Sequence, residues 1–233
     1  TLFRSGRFVR SASAIVACRR RGPVQDSAAK FRILMIELFV KGGPIMWPIL
    51  LTSIVALTVV LERVIFVIRE RVRRDPETVR RIFEHVERGD FAGAALAGAA
   101  SEDYVARTLT YALNNRERSV SDALMRAAHW ELKRYNRGLT VLDTVITLAP
   151  LLGLLGTVTG MIQSFGLIGG EEIGAPRAIA GGIAEALIAT SAGLAVAILA
   201  LLPFNYLNAR LEEARGDIQD AGTHLELHLV PRG

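Results

Sequence analysis

Three long apolar runs divide this chain of 233 residues. The first is uncharged over residues 45–61 and resumes at 64–68 after an adjacent Glu-Arg pair. The second is uncharged over residues 144–170, and the third, residues 178–209, is interrupted only by Glu185. A helix needs about 20 apolar residues to cross a bilayer. We therefore predict an all-α membrane protein with three transmembrane helices, at residues 45–68, 141–168 and 178–207.

The polar stretch between the first and second runs predicts further helices. Asp75-Pro76 is typical of a helix start, and Gly89-Asp90 of a C-cap followed by an N-cap. Ser121-Asp122 opens a pattern with apolar residues every three or four positions, and we predict that this helix continues without a break into the second span. The transmembrane helices are thus expected to extend into a cytoplasmic helical bundle. The remaining predicted segments are an interfacial amphipathic segment at 35–44, the cytoplasmic helical region at 69–140 and a cytoplasmic tail at 208–228.

Net charge is +5, which by itself favours nucleic acid or anionic lipid as a partner. Residues 1–34 hold eight basic residues against one acidic residue, and the rest of the chain sums to −2. We predict a non-native or disordered basic arm at 1–34, the alternative being a native arm that contacts anionic lipid. The ending LVPRG, residues 229–233, looks like a thrombin-site scar. With the arm set aside, no nucleic-acid partner is expected.

The orientation follows from the loops. Residues 69–81 are rich in arginine, whereas the connection at 167–177 holds one arginine. Cytoplasmic loops carry the excess of Lys and Arg. The prediction is a periplasmic N-terminus and a cytoplasmic C-terminus.

Small residues recur at helical spacing inside the second and third spans. Gly153, Gly156 and Gly160 follow one another at intervals of three and four, and Gly182 and Gly193 lie on one stripe of the third span. Such stripes let helix backbones approach closely. Two interpretations fit these stripes: helix packing within one subunit, or packing of spans from several subunits around a shared passage. The spacing alone does not distinguish between them.

Five polar residues in or beside the spans are candidates for a proton pathway. Placing the Glu185 carboxylate in a span costs about 2.5–3.5 kcal/mol, and a carboxyl that changes protonation there suits a proton relay. The alternative is a structural carboxyl bonded to a neighbouring helix. Thr157 and Thr190 supply hydroxyls, although such hydroxyls commonly bond their own helix. Asp143 and Thr147 lie at the predicted cytoplasmic mouth, where they fit a proton exit or simple interfacial solvation.

The sequence does not favour an enzyme. His224 and His228 are four residues apart but lack the adjacent Glu of the HExxH zinc motif, and the sequence indicates no third ligand. A single cysteine, Cys18, excludes a cysteine-based structural zinc site. We expect no catalytic residue, no metal site and no cofactor.

Two spans carry a family resemblance. LAPLLGLLGTVTGMIQSF at 148–165 and GGIAEALIATSAGLAVAI at 181–198 resemble the signature spans of the MotA/TolQ/ExbB proton-channel family, and residues 35–65 resemble its N-terminal segment and first span. Glu185 within GIAEAL is similar to the ExbB/TolQ branch and unlike flagellar MotA stators. The short tail beyond Arg210 is more similar to ExbB than to TolQ.

The resemblance implies a pentamer in the bacterial inner membrane that encloses two ExbD- or TolR-like single-span subunits. Thr157, Glu185 and Thr190 match the polar pore positions of that branch, while the proton-carrying aspartate belongs to the partner. The resemblance also implies that protons are the coupling ion and that their flow drives a TonB-like protein for outer-membrane import. The alternatives are a TolQ-like envelope-maintenance motor and a structural membrane scaffold.

Overall fold

The structure is a computed structural model that describes residues 36–117, 119–166 and 175–229. The predicted arm at 1–34, residues 230–233 of the predicted scar and most of the 167–177 connection lie outside the described residues. Every regular element in the described part is helical. A short helical segment at 36–41 comes first. Seven helices follow within the described ranges: α1 Met46–Val72, α2 Pro76–Glu87, α3 Phe91–Gly98, α4 Tyr104–Asn114, α5 Val120–Asn136, α6 Leu139–Gly166 and α7 Ala175–Leu229.

The predicted all-α fold with three membrane spans is confirmed. Among the described residues, three helical stretches are long and apolar enough to cross a bilayer, namely Met46–Val72, Val120–Gly166, which comprises α5 and α6, and Ile179–Leu229. Helix α7 has 55 residues and is continuous. At 1.5 Å per residue it measures about 80 Å, well beyond the roughly 30 Å of a hydrocarbon core. Its C-terminal half therefore belongs to the helical bundle outside the membrane.

That bundle has a hydrophobic core of its own. Ile82 of α2, Leu109 and Leu113 of α4 and Leu225 of α7 are fully buried in it. Asp103, which is 1% exposed, caps α4 by accepting from the Val105 amide at 2.7 Å. The Asp103 carboxylate also accepts from the Asp75 amide at 2.8 Å. The capping network thus joins the start of α4 to the start of α2.

Two of the predicted helix boundaries are confirmed. The Asp75 carboxylate accepts hydrogen bonds from the hydroxyl and the backbone amide of Thr78, and these bonds hold the pKa of Asp75 below its usual value. Gly89 has φ +74°, a conformation that suits glycine, and the Asp90 carboxylate caps α3 by accepting from the Gly93 amide. Local residue chemistry is sufficient to place both ends.

The predicted helix start at Ser121-Asp122 is correct to within one residue, but the predicted unbroken course into the second span is wrong. Helix α5 begins at Val120 with Ser119 as its N-cap, and it stops at Asn136. Gly138 then takes φ +85° and α6 starts at Leu139.

Contacts with α1 stabilise the break between α5 and α6. The Arg63 guanidinium, buried against α5, donates to the Arg134 carbonyl at 3.0 Å, and this carbonyl is one of those released where α5 ends. A Cβ on Gly138 would lie 3.0 Å from the Val59 side chain. The close packing of α1 and the left-handed conformation of Gly138 therefore interrupt the helix between α5 and α6.

Candidate functional site

The small residues of α6 and α7 lie in one tight interface. A Cβ added to Gly153 would lie 3.0 Å from the Thr190 Cα, and one added to Gly160 would lie 3.0 Å from the Ala186 Cβ. A Cβ on Gly193 would overlap the Ala149 carbonyl oxygen. Gly156 and Gly182 belong to the same interface, facing Ala189 and Ser164 respectively. All five glycines predicted to pack helices are therefore placed between these two spans.

Both threonines predicted to line a pathway already bond a backbone carbonyl. The Thr190 hydroxyl donates to the Gly153 carbonyl at 2.8 Å, across the interface between α6 and α7. The Thr157 hydroxyl donates to the Leu154 carbonyl of its own helix at 2.6 Å. Each hydroxyl oxygen keeps acceptor capacity. Their role in a proton pathway stays a prediction.

Glu185 is half-buried and lines a cavity of about 230 Å³ between α6, α7 and the turn that precedes α1. A methyl group added to Gly43 would overlap the Glu185 Oε1, so the carboxylate lies directly on this glycine. Gly43 has φ +70°. The polar side chains that line the cavity with Glu185 are those of Thr159 and Gln163. The rest of the lining is Gly42, Pro44, Ile45 and Gly156.

The turn over the cavity is fixed by apolar packing. Met46 and Ile49 at the start of α1 are buried against Ala189 of α7. The Phe39 ring packs edge-on against Trp47 with centroids 5.3 Å apart. The segment before α1 therefore forms one wall of the Glu185 site.

Glu185 and the two predicted threonines lie on different sides of the α6–α7 interface. Thr159 lines the Glu185 cavity. Thr157 is two residues before it, which puts Thr157 about 160° away around a helix of 3.6 residues per turn. Glu185 and Thr190 are likewise about 140° apart on α7. The structure thus groups Glu185 with Thr159 and Gln163, not with Thr157 and Thr190.

Sequence reasoning missed Thr159 and Gln163. Polar residues four positions apart in an uncharged span share a helix face, and this spacing was the available signal. It did not show which face would meet Glu185, because that depends on how α6 packs against α7.

The predicted exit residues lie far from this cavity. Asp143 and Thr147 are exposed on α6, and the Thr147 hydroxyl donates to the Thr144 carbonyl at 3.0 Å. Sixteen residues separate Asp143 from Thr159, about 24 Å along the helix axis. The structure therefore does not bring these two exit candidates to Glu185.

Comparison with known proteins identifies the family. A family model described as the MotA/TolQ/ExbB proton channel family matches residues 97–220, which is more than half of the chain. The chain belongs to this family. The ExbB-like 1 biopolymer transport protein of Synechocystis is 38% identical over 200 residues, covering 83% of this chain and 78% of the relative.

Further relatives are also described as ExbB or as an ExbB homolog. The ExbB homolog of Methanothermobacter thermautotrophicus is 32% identical over 81% of this chain and 68% of its own length. Biopolymer transport protein ExbB of Neisseria gonorrhoeae is 41% identical over 98 residues, 42% of this chain and 44% of its own. The family is one of proton channels and transport proteins, not of enzymes. The predicted family resemblance is confirmed.

Proposed function

We propose that this chain is the proton-channel subunit of an ion-driven motor in the bacterial inner membrane. The observation that carries the proposal is Glu185, half-buried in a span and beside a cavity with two further polar side chains. A carboxyl group inside a span is costly to bury, and such residues mark proton and ion pathways. The cavity is large enough to hold water, which is needed to bring protons to the carboxylate.

The active form in this proposal is a pentamer around two single-span subunits. Its support is the apolar surface that α6 and α7 leave uncovered in a single chain. Leu151 and Leu154 of α6, and Leu187 and Ile198 of α7, are 57% to 61% exposed. The chain itself leaves these apolar side chains exposed, and their contact with water would be unfavourable. Lipid or a neighbouring subunit must therefore cover them.

Each proton that crosses 100 mV releases about 2.3 kcal/mol, so several protons provide enough free energy for a conformational step of a few kcal/mol. In the proposed cycle, an aspartate of the enclosed subunits takes protons near Glu185, Thr157 and Thr190, and Asp143 with Thr147 forms the exit. The enclosed pair rotates and moves a TonB-like protein that drives import across the outer membrane. Protons are the only coupling ion, and no cofactor takes part.

The test is co-expression of the full chain with a single-span, aspartate-bearing membrane protein encoded beside it. We expect the two to co-purify at five copies to two by native mass spectrometry. Proteoliposomes with the complex should take up protons under a K⁺/valinomycin potential, read by an internal pH dye. The chain alone should not. A stable complex that passes no protons would instead support the structural scaffold.

A TolQ-like envelope-maintenance motor is the second candidate for the same channel. The phenotype of a gene deletion distinguishes the import motor from the envelope-maintenance motor. Loss of the gene should stop growth on a nutrient that requires outer-membrane import and leave detergent resistance unchanged. Detergent sensitivity with normal import would favour the TolQ-like function.

A substitution at Gly43 tests whether the turn before α1 positions Glu185. Gly43→Ala introduces a methyl group where the Glu185 carboxylate lies, so the carboxylate must leave its place in the cavity. We expect proton flux through the reconstituted complex to fall about tenfold, the equivalent of 1.4 kcal/mol.

Gly89→Ala is the matched control. Gly89 has φ +74°, close to the +70° of Gly43, but a Cβ there meets nothing within 4 Å. Both variants therefore carry the same backbone strain, and only one disturbs Glu185. Equal flux in the two variants would show that Gly43 does not position Glu185.

A further inference from the structure

Two histidines near the end of α7 and a glutamate at the end of α2 meet on the surface of the bundle. Glu87 is the last residue of α2, and His224 and His228 are one turn apart in α7. Their potential ligand atoms all lie within 4.8 Å of one another, and all three residues are exposed. The sequence supplies the histidine pair, and the fold supplies the third donor.

The two imidazoles already have the spacing of two ligands on one ion. Their Nε2 atoms are 3.2 Å apart. Zinc binds imidazole nitrogen at about 2.0–2.1 Å in a tetrahedral arrangement, which places two such nitrogens about 3.3 Å from each other. A histidine pair four residues apart on one helix face is a recurrent zinc-binding arrangement.

The backbone around the cluster is held by buried packing. Leu225, the residue after His224, is fully buried, and Val86, the residue before Glu87, is 3% exposed. The Phe83 ring lies against the His224 ring with centroids 4.4 Å apart. The helices therefore keep the three residues together, while the exposed Glu87 side chain is free to turn its carboxylate toward the histidines.

We propose that Glu87, His224 and His228 bind one divalent transition-metal ion. Two neutral imidazoles and one carboxylate suit Zn²⁺, and they leave a fourth position that water can occupy. The bound ion ties the end of α7 to the end of α2. The site is remote from Glu185 in sequence and does not depend on the proposed proton-channel function.

Zn²⁺ titration of the full chain tests the site. The protein is purified in detergent without a polyhistidine tag, stripped with a chelator and titrated calorimetrically with zinc chloride. We expect one ion per chain with a Kd of about 1 µM or lower. His228→Ala should weaken binding about 100-fold and Glu87→Gln about tenfold. Zn²⁺ should raise the Tm of the unsubstituted protein and leave that of His228→Ala unchanged.

His129→Ala is the control, because His129 is an exposed histidine of α5 outside this cluster. Its affinity for Zn²⁺ should match that of the unsubstituted protein. Zinc binding that survives both His224→Ala and His228→Ala within threefold would overturn the proposal. The absence of binding at 100 µM Zn²⁺, a concentration about 100 times the expected Kd, would overturn it as well.

Discussion

Glu185→Gln is expected to reduce proton flux through the reconstituted complex at least 100-fold, to the leak of empty vesicles. The amide has nearly the same shape as the carboxyl and fits the cavity beside Thr159 and Gln163. It cannot bind and release a proton at any working pH. The expected loss corresponds to about 2.7 kcal/mol or more in the barrier to proton transfer.

The complex should nevertheless assemble. The amide keeps the shape of the carboxyl group and removes no packing contact, so the Tm and the subunit stoichiometry of Glu185→Gln should equal those of the unsubstituted complex. This separates a lost proton site from a lost structure. The measurements are proton uptake under an imposed potential, native mass spectrometry and thermal unfolding in detergent.

Glu212→Gln serves as the matched control on the same helix. Glu212 is exposed and pairs with Arg215 at 3.0 Å, well beyond the membrane-spanning part of α7. Its flux should stay within twofold of the unsubstituted complex, since exposed pairs contribute little. Glu185→Gln with full flux would mean that protons pass without this carboxyl, and Glu185 would then be a structural residue.

Gly193→Val is expected to destabilise the chain by about 3 kcal/mol through overpacking between α6 and α7. A Cβ at Gly193 overlaps the Ala149 carbonyl oxygen and comes within 3.2 Å of the Gly153 backbone. Backbone atoms cannot move aside as a side chain does, so the two spans must separate. The hydrogen bond from Thr190 to the Gly153 carbonyl would be lost with them.

Gly181→Val provides the comparison for this effect. Gly181 lies in the same helix, and a Cβ there meets nothing within 4 Å. A β-branched residue is a slightly better helix former than glycine, so stability should stay the same or rise by a few tenths of a kcal/mol. Unfolding in detergent followed by circular dichroism gives both values. Equal stability of the two valine variants would exclude close packing at Gly193 as a determinant of the fold.

Features set by neighbouring residues in the sequence could be predicted. Apolar run lengths locate all three spans, and the caps at Asp75 and Asp90 follow from the preference of short polar side chains for helix starts. Glu185 stands out because a carboxylate in an apolar run is costly wherever the run packs. None of these conclusions requires knowledge of which helices touch.

Features set by contacts between distant residues could not be predicted. The stop at Asn136 depends on Arg63 of α1, which bonds the released carbonyl of Arg134. The grouping of Thr159 with Glu185 depends on the rotation of α6 against α7. In each case a pattern read along one segment leaves the partner segment undetermined.

Because α7 is one long helix, a small tilt at its membrane end produces a large displacement at its far end. Thirty-nine residues separate Glu185 from His224, about 58 Å at 1.5 Å per residue. A tilt of about 5° at the membrane end would move the far end by about 5 Å, the height of one helical turn. A rigid helix would carry a small rearrangement around the carboxyl to the opposite end of the molecule as a displacement of one helical turn, unless it bends at Pro203, which lies between the two ends.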